Sequence, residues 1–303
     1  MSYEQTIRES VEFSGLGLHS GAPVTMRLLP APAGTGVIFR RVDLDNFLIE
    51  ATGHNVAKVS YATSLMKKGV LISTTEHLLS ALVGLGVDNV IIEIDNLELP
   101  ILDGSALPIV EAILKAGVRK QRRKRHYLRI LKQVEFRDGD KFIAVYPWDG
   151  FSVSYSINFP HPLIGREHFQ IELTNGSYLR EIAGARTFGF LHEAPMLKNM
   201  GLIRGASEDN AIVLTRDGIK NGPLRYPDEF VRHKVLDLIG DLALIGHQVL
   251  GRVEADRAGH AMHTALVSRL LRDPSLWEMT TVDGESLQRS EQMQALLQPS
   301  AER

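Results

Sequence analysis

His233, Asp237 and Asp241 recur every four residues in the run Arg232-His233-Lys234-Val235-Leu236-Asp237-Leu238-Ile239-Gly240-Asp241. In a helix that spacing puts all three on one face. The residues around them, 235–245, are mostly Leu, Ile, Val and Ala, and a helix apolar nearly all round is normally buried. A buried carboxylate is costly unless it is paired or bound to a cation. An imidazole and a carboxylate one turn apart make half of a divalent-metal site. The chain has no cysteine, so a metal here must sit on His, Asp or Glu.

A catalytic metal usually has three protein ligands, and the third must come from elsewhere. Ser73-Thr74-Thr75-Glu76-His77-Leu78-Leu79 places a carboxylate beside an imidazole at a helix start. With His77 on the metal, Glu76 is close enough to take a proton from a water acidified there, which is the pairing that hydrolysis needs. A plainer reading is a capping box, with Glu76 bonding back to Ser73 for about 1 kcal/mol. His77 is then an ordinary histidine, and the stripe of His233, Asp237 and Asp241 a buried ion network. Each feature, however, supplies what the other lacks. A third cluster, Arg257-Ala258-Gly259-His260-Ala261-Met262-His263, puts His260 after a glycine turn at a helix start. As a general acid His260 must carry a proton, which a helix N-terminus opposes. Asp241 is the candidate carboxylate to offset this; without such a partner His260 is a first-turn histidine with no assigned role.

These residues need a frame. The chain has 303 residues, 44% hydrophobic and 23% charged, with a net charge of -2. That is an ordinary globular composition with room for two domains, and the charge indicates no class of partner. The first residues lack the basic start and apolar run of a signal peptide. No stretch of about 18 apolar residues could span a membrane. A cytoplasmic enzyme is the default expectation.

Strand patterns cover 24–28, 36–40 and 89–94, with helices at 75–82 and 108–116. The second half reads as strands 127–131, 141–146 and 151–157, a long helix 229–245, a strand 249–256 and a helix 261–271. Strands with segregated helices indicate an α+β fold. The similar order in the two halves hints at a duplicated unit. The basic run Arg119-Lys120-Gln121-Arg122-Arg123-Lys124-Arg125-His126 favours exposed, extended chain. It is taken as a linker, 119–126, between domains 1–118 and 127–272. A nucleic-acid patch is the rival reading, but no aromatic interleaving or basic helix accompanies the run. Contact with anionic lipid or a substrate phosphate stays open. Residues 273–303 read as a polar tail, in which 293–297 can form a helical turn.

Thr74-Thr75-Glu76-His77-Leu78, Ala185-Arg186-Thr187-Phe188-Gly189-Phe190, the 232–241 run and Ala258-Gly259-His260-Ala261 resemble the zinc-dependent UDP-3-O-acyl-N-acetylglucosamine deacetylases of lipid A biosynthesis. Gly15-Leu16-Gly17-Leu18-His19, Gly36-Val37-Ile38-Phe39-Arg40-Arg41, Asp88-Asn89 and Leu102-Asp103-Gly104-Ser105-Ala106 match in the same order. The resemblance implies two domains of similar topology, their helices packed between two β-sheet layers and the active site at the domain interface. It implies zinc, with Fe2+ as a substitute, on His77, His233 and Asp237, and Glu76 as general base. Thr187 would stabilise the oxyanion, and His260, oriented by Asp241, would act as acid or electrostatic stabiliser. Lys234 would bind substrate, Phe188 would line the sugar site, and Phe159 and Lys141 would contact the nucleotide end. Arg257 stands where the family often has Lys, keeping the charge but altering a phosphate contact. His19 falls near the site with no catalytic step assigned.

The implied reaction is hydrolysis of the N-acetyl amide of a UDP-acyl-sugar, releasing acetate and a free amine that His260 or Glu76 protonates. An insertion at 191–211, with Met196, Leu197, Met200, Leu202 and Ile203, would hold the acyl chain, although a plain core helix explains these residues as well. The implied partner is this small molecule, without nucleic acid, and a monomer is the simple expectation. Two other classes fit the ligand set: a non-haem Fe(II) oxygenase with its two-His-one-carboxylate triad, and a non-catalytic UDP-sugar or lipid-binding module. A carboxylate poised beside a ligand favours hydrolysis over the oxygenase, and the resemblance favours it over both.

Overall fold

The computed structural model describes residues 2–57, 59–174 and 176–281. The first half runs β1 (Tyr3–Ile7), β2 (Val11–Leu16), β3 (Pro23–Pro30), β4 (Val37–Arg41), β5 (Phe47–Glu50), β6 (Leu65–Lys67), β7 (Val70–Ile72), α1 (Glu76–Leu85), β8 (Val90–Ile94) and α2 (Leu107–Ala116). β9 (Val118–Lys124) and β10 (Tyr127–Ile130) follow, then β11 (Val134–Asp138), β12 (Lys141–Tyr146), β13 (Phe151–Phe159), β14 (Gly165–Glu172) and α3 (Ser177–Glu181). The chain continues through β15 (Phe188–Phe190), α4 (Ala194–Asn199), β16 (Ile212–Leu214), α5 (Glu229–Leu242), β17 (Gln248–Asp256), α6 (His260–Arg272) and β18 (Trp277–Thr280). The fold is α+β, as the strand and helix patterns indicate.

Period-two alternation builds the sheets. Val24, Met26 and Leu28 of β3 and Val153, Tyr155 and Ile157 of β13 turn inward and are buried, as the pleat requires. The first sheet has the order β2-β3-β8-β4-β5. In the second, β17 lies between β12 and β13, which carry β11 and β14 on their outer sides. The pairing sense matches as well. β8 is antiparallel to β3 and parallel to β4, while β17 is antiparallel to β12 and parallel to β13. Each central strand follows a long helix, α1 or α5, and precedes another, α2 or α6. The duplication hinted at by element order is therefore visible in the topology.

Helices fill the space between the sheets. α2 packs on β2 and α1, α1 on α5, and α5 on β13, β14 and α6, while α6 packs on β11 and β12. The core is one continuous cluster through both sheets. The α1–α5 crossing is tight because Gly240 has no side chain: a methyl there would collide with the Glu76 carbonyl oxygen. The middle of α5 is thereby pressed against the start of α1.

Several segments differ from their sequence reading. Residues 119–126, read as a linker, are extended, but β9 hydrogen-bonds to β1 as an antiparallel pair. Arg125 turns inward and is only 2% exposed. It binds Asp88 through Nε and Nη2 at 2.9 and 2.7 Å, and donates from Nη2 to the Gly86 carbonyl at 2.6 Å. The span read as a polar tail begins with β18, which pairs antiparallel with β10; residues 293–297 lie outside the described residues. Residues 191–211 carry α4, with Leu197 buried but Met196 and Met200 more than half exposed, so this is not a plain core helix. Among the described residues no helix is long and apolar enough to cross a membrane.

Candidate metal centre and catalytic site

The capping-box reading of Ser73–Glu76 fails on register. Thr75 is the N-cap, its side chain caps nothing, and Glu76 is the first helical residue rather than the third. Glu76 instead points into the protein, where its Oε2 accepts the Thr63 backbone N–H at 3.1 Å. The next residue, His77, faces α5. Its Nε2 lies 3.7 Å from Asp237 Oδ1, and His233 Nε2 lies 3.3 Å from the same oxygen. The two imidazole rings meet edge to face, with centroids 5.0 Å apart.

These three buried residues can hold a metal ion, since one donor atom from each lies within 4.8 Å of the others. Ligands about 2.1 Å from a tetrahedral zinc stand about 3.4 Å apart, close to the separations seen here. The tautomer fits too. His233 Nδ1 lies 3.0 Å from the Ala185 carbonyl, which needs a proton on Nδ1 and leaves the Nε2 lone pair for a cation. Burial and the neighbouring His233 push the His77 imidazole down to about 3, so it is a neutral donor. Burial alone would raise the Asp237 carboxyl, but His233, Lys234 and His260 hold it below the usual carboxylate range.

Asp241, one turn further along α5, is fully buried and bonded differently. Its Oδ2 lies 2.7 Å from His260 Nδ1 and 2.8 Å from His263 Nδ1, and its Oδ1 accepts the Thr63 hydroxyl at 2.5 Å. Separations of 2.7–2.8 Å are hydrogen bonds, too short for two ligands of one ion, so this second cluster is a polar network rather than a second metal site. Burial lowers the His260 imidazole, but the Asp241 carboxylate outweighs it and lifts the group to about 9. His260 Nε2 faces back to the candidate metal centre, 4.0 Å from both Glu76 Oε1 and Asp237 Oδ2. Burial pushes the Glu76 carboxyl up to about 8. A carboxyl raised by burial beside an imidazole lifted by a carboxylate, in a cavity, makes this a candidate acid–base site.

That cavity, about 190 Å3, is lined by Glu76, His77, Thr187, His233, Asp237 and His260, with Lys234, Phe188 and His19 also on its wall.

A protein-family model described as LpxC: UDP-3-O-acyl N-acetylglycosamine deacetylase matches residues 4–272. The chain belongs to this family. Relatives named UDP-3-O-acyl-N-acetylglucosamine deacetylase are similar over nearly their full length. The one from Solibacter usitatus is 54% identical over 284 residues, covering 93% of this chain and 96% of the relative. The one from Cellvibrio japonicus is 44% identical over 289 residues, 94% and 95% of the two chains. The one from Nitratiruptor sp. is 47% identical over 277 residues, 91% and 93%. The family name describes an amide hydrolase, and three buried groups able to hold a metal ion beside a carboxylate suit that chemistry.

The remaining residues of this deacetylase-family chain separate into those at the cavity and those away from it. Glu229, the first residue of α5, is fully buried and grips Arg186 through Nε at 2.8 Å and Nη2 at 3.1 Å. That grip, with the Ala185–His233 bond, fixes the approach of Thr187 and Phe188. The Lys234 ammonium donates to Asp237 Oδ2 at 2.8 Å and stands 5.8 Å from the Phe188 ring. Phe159 stacks edge-on against Phe188, with centroids 5.6 Å apart. Lys141 and Arg257 do not line the cavity. Lys141 is exposed at the start of β12, and Arg257 donates to the Asp140 carbonyl at 2.6 Å. His19 reaches the cavity wall, with its backbone N–H bound to Glu98 Oε1 at 2.8 Å.

Left-handed backbone recurs beside the site. Tyr61, Thr74 and Arg257 have φ of 64°, 59° and 52°. Each stands two or three residues before a residue of the candidate site: Thr63, Glu76 and His260. Non-glycine residues in this region cost about 1–3 kcal/mol each and persist where the surroundings over-determine them. Sequence reading did not single out Thr63 or give His263 a role. His263 had a visible signal, lying one turn after His260 on the same helix face. Thr63, in an irregular segment, had none.

Proposed function

We propose that the protein hydrolyses the N-acetyl amide of UDP-3-O-acyl-N-acetylglucosamine, giving acetate and UDP-3-O-acyl-glucosamine for lipid A synthesis in the cytoplasm, with zinc on His77, His233 and Asp237. The observation that carries this reading is the meeting of that triad with the free Oε1 of Glu76 and with His260 Nε2, 4.0 Å from it. Zinc would supply Lewis acidity, polarising the amide carbonyl and acidifying a water.

The chain's own groups then divide the work. Glu76, its Oε2 held by Thr63, offers Oε1 as the proton acceptor. The Thr187 hydroxyl on the cavity wall donates to the oxygen that gains charge. His260, kept cationic by Asp241, holds at Nε2 the proton that the departing amine needs. Lys234 and Phe188 orient the sugar, and Phe159 extends the aromatic wall towards the nucleotide. The exposed Met196 and Met200 of α4 offer adaptable apolar surface to the acyl chain.

The test is acetate release from this substrate after chelation and again after zinc is restored. Release that disappears with the chelator and returns with zinc is expected. No release from folded, zinc-loaded protein overturns the reading, and oxygen consumption with Fe2+ would replace it by oxygenase chemistry.

A further inference from the structure

Thr63 is fully buried between the start of α1 and the middle of α5, and all three of its polar groups are spent on the site. The backbone N–H donates to Glu76 Oε2 at 3.1 Å. The hydroxyl donates to Asp241 Oδ1 at 2.5 Å and lies 3.2 Å from His260 Nδ1. The carbonyl accepts from the backbone N–H and the hydroxyl of Thr75, the residue before Glu76, at 3.3 and 3.2 Å. We infer that Thr63 is a positioning residue that sets which oxygen of Glu76 and which of Asp241 faces its working partner, and so couples the proton-accepting side of the site to the proton-donating side.

The proton count supports this. A threonine hydroxyl has one proton, and here it goes to Asp241 Oδ1. The Oγ1 lone pairs are then free to face His260 Nδ1, which carries the proton it shares with Asp241 Oδ2. The His260 ring is thereby held by two acceptors rather than one, and its Nε2 is aimed into the cavity. His263 Nδ1 closes the other side of Asp241 Oδ2 at 2.8 Å. Tyr155, whose hydroxyl donates to the Ala258 carbonyl at 2.6 Å and lies 3.1 Å from His263 Nε2, walls that histidine in. Without the Thr63 hydroxyl, the fully buried Asp241 loses the donor on Oδ1, and the carboxylate must turn to find another. A buried network that loses one member leaves the others strained or unpaired.

This inference rests on the deacetylase reading, so wild-type acetate release is the first control: its absence removes that reading before Thr63 is tested. Thr63→Val keeps the shape and the backbone N–H but deletes the hydroxyl; Thr63→Ser keeps the hydroxyl. In zinc-loaded full-length protein, T63V is expected to lose kcat by about 10²-fold, the scale of a small misplacement of reacting groups, while KM and zinc per chain stay within twofold. T63S is expected to stay within threefold of wild type. In an Asp241→Asn background, T63V should cost less than threefold more, because the partner it aligns is already altered. Wild-type kcat in T63V, loss of zinc in step with activity, or losses that multiply fully with Asp241→Asn would each overturn the inference. If T63V does not fold, Thr63→Ala is judged by the same three readouts.

Discussion

α1 and α5 hold equivalent places in the two halves, each following two hairpins and preceding the central strand of its sheet, yet they contribute differently. α1 carries no charged residue beyond its first turn and offers Glu76 and His77 from its tip. α5 carries a polar stripe through its middle, with His233, Asp237 and Asp241 all buried. The following helices diverge in the same way: α6 opens on His260, whereas α2 opens on Leu107. Even the insertions between second hairpin and long helix differ in what they deliver, Thr63 ahead of β6 in one half and Thr187 ahead of β15 in the other. The repeated frame supplies a helix crossing, and unequal divergence supplies the chemistry. In the proposed reading, the first half would bring the base and one ligand, and the second two ligands and the acid arm.

Removing a ligand from either half should break the site most completely. His77→Ala and Asp237→Ala are each expected to lose bound zinc and essentially all acetate release, beyond the roughly 10–100-fold that outer partners of a metal cost. Zinc per chain after dialysis decides it, and a variant that retains full zinc removes its half from the ligand set. Asp241→Asn sharpens the contrast between two carboxylates one turn apart on α5. It should keep zinc and lose about 10²–10⁴ in kcat, the range of general acid–base assistance. Zinc loss equal to that of Asp237→Ala would make Asp241 part of the metal centre instead.

Most of the site was legible because its polar residues contradict their surroundings. His233, Asp237 and Asp241 stand out on a helix that is otherwise apolar, and burial makes such residues costly without a job. Register was the first limit. Ser73–Glu76 has the letters of a capping box, and only the position of Glu76 at the first helical residue excludes it. Pairing across the chain was the second. A charge run normally means a solvated face, and seven of the eight residues at 119–126 are exposed or half-exposed. Arg125 departs from that pattern because Asp88, far away in sequence, waits in the interior. β18 escaped notice because four residues are too few to show a period. Thr63 escaped because nothing local marks a threonine whose three partners come from other segments.

Gly240→Ala attacks the frame rather than the chemistry. Its methyl meets the Glu76 carbonyl, so α1 must shift away from α5, at about 1–3 kcal/mol of stability. The base and His77 move together, so kcat and zinc affinity should fall in parallel, whereas Asp241→Asn lowers kcat alone. Unchanged zinc affinity would show that the crossing absorbs the methyl elsewhere. Arg125→Met reverses the pattern. It leaves Asp88 buried without its cation, at about 3–5 kcal/mol, which thermal unfolding reads, while kcat of the folded protein stays at the wild-type value. A fall in kcat below the unfolding temperature would tie this ion pair to the site.

The smallest effect belongs to a third carboxylate bearing on α5. Glu167 of β14 accepts the Val231 backbone N–H at 2.9 Å in the first turn of that helix. Asp237 and Asp241 have imidazoles or an ammonium against them; Glu167 has one backbone donor, and burial raises it to about 7, with nearby Asp228 adding to the rise. A carboxyl raised in the folded state binds more protons than the unfolded chain between about 4.5 and 7, so its contribution to stability falls as pH rises through that window. Glu167→Gln keeps an acceptor for Val231 and removes the titration. Relative to wild type, the variant should therefore gain stability between pH 5 and pH 8, by an amount that solvent at this half-exposed group keeps small. Denaturant unfolding of both proteins across that range measures the difference directly. Parallel stability curves would mean that the first turn of α5 holds Glu167 charged throughout, and that helix-end polarity rather than burial governs this carboxylate.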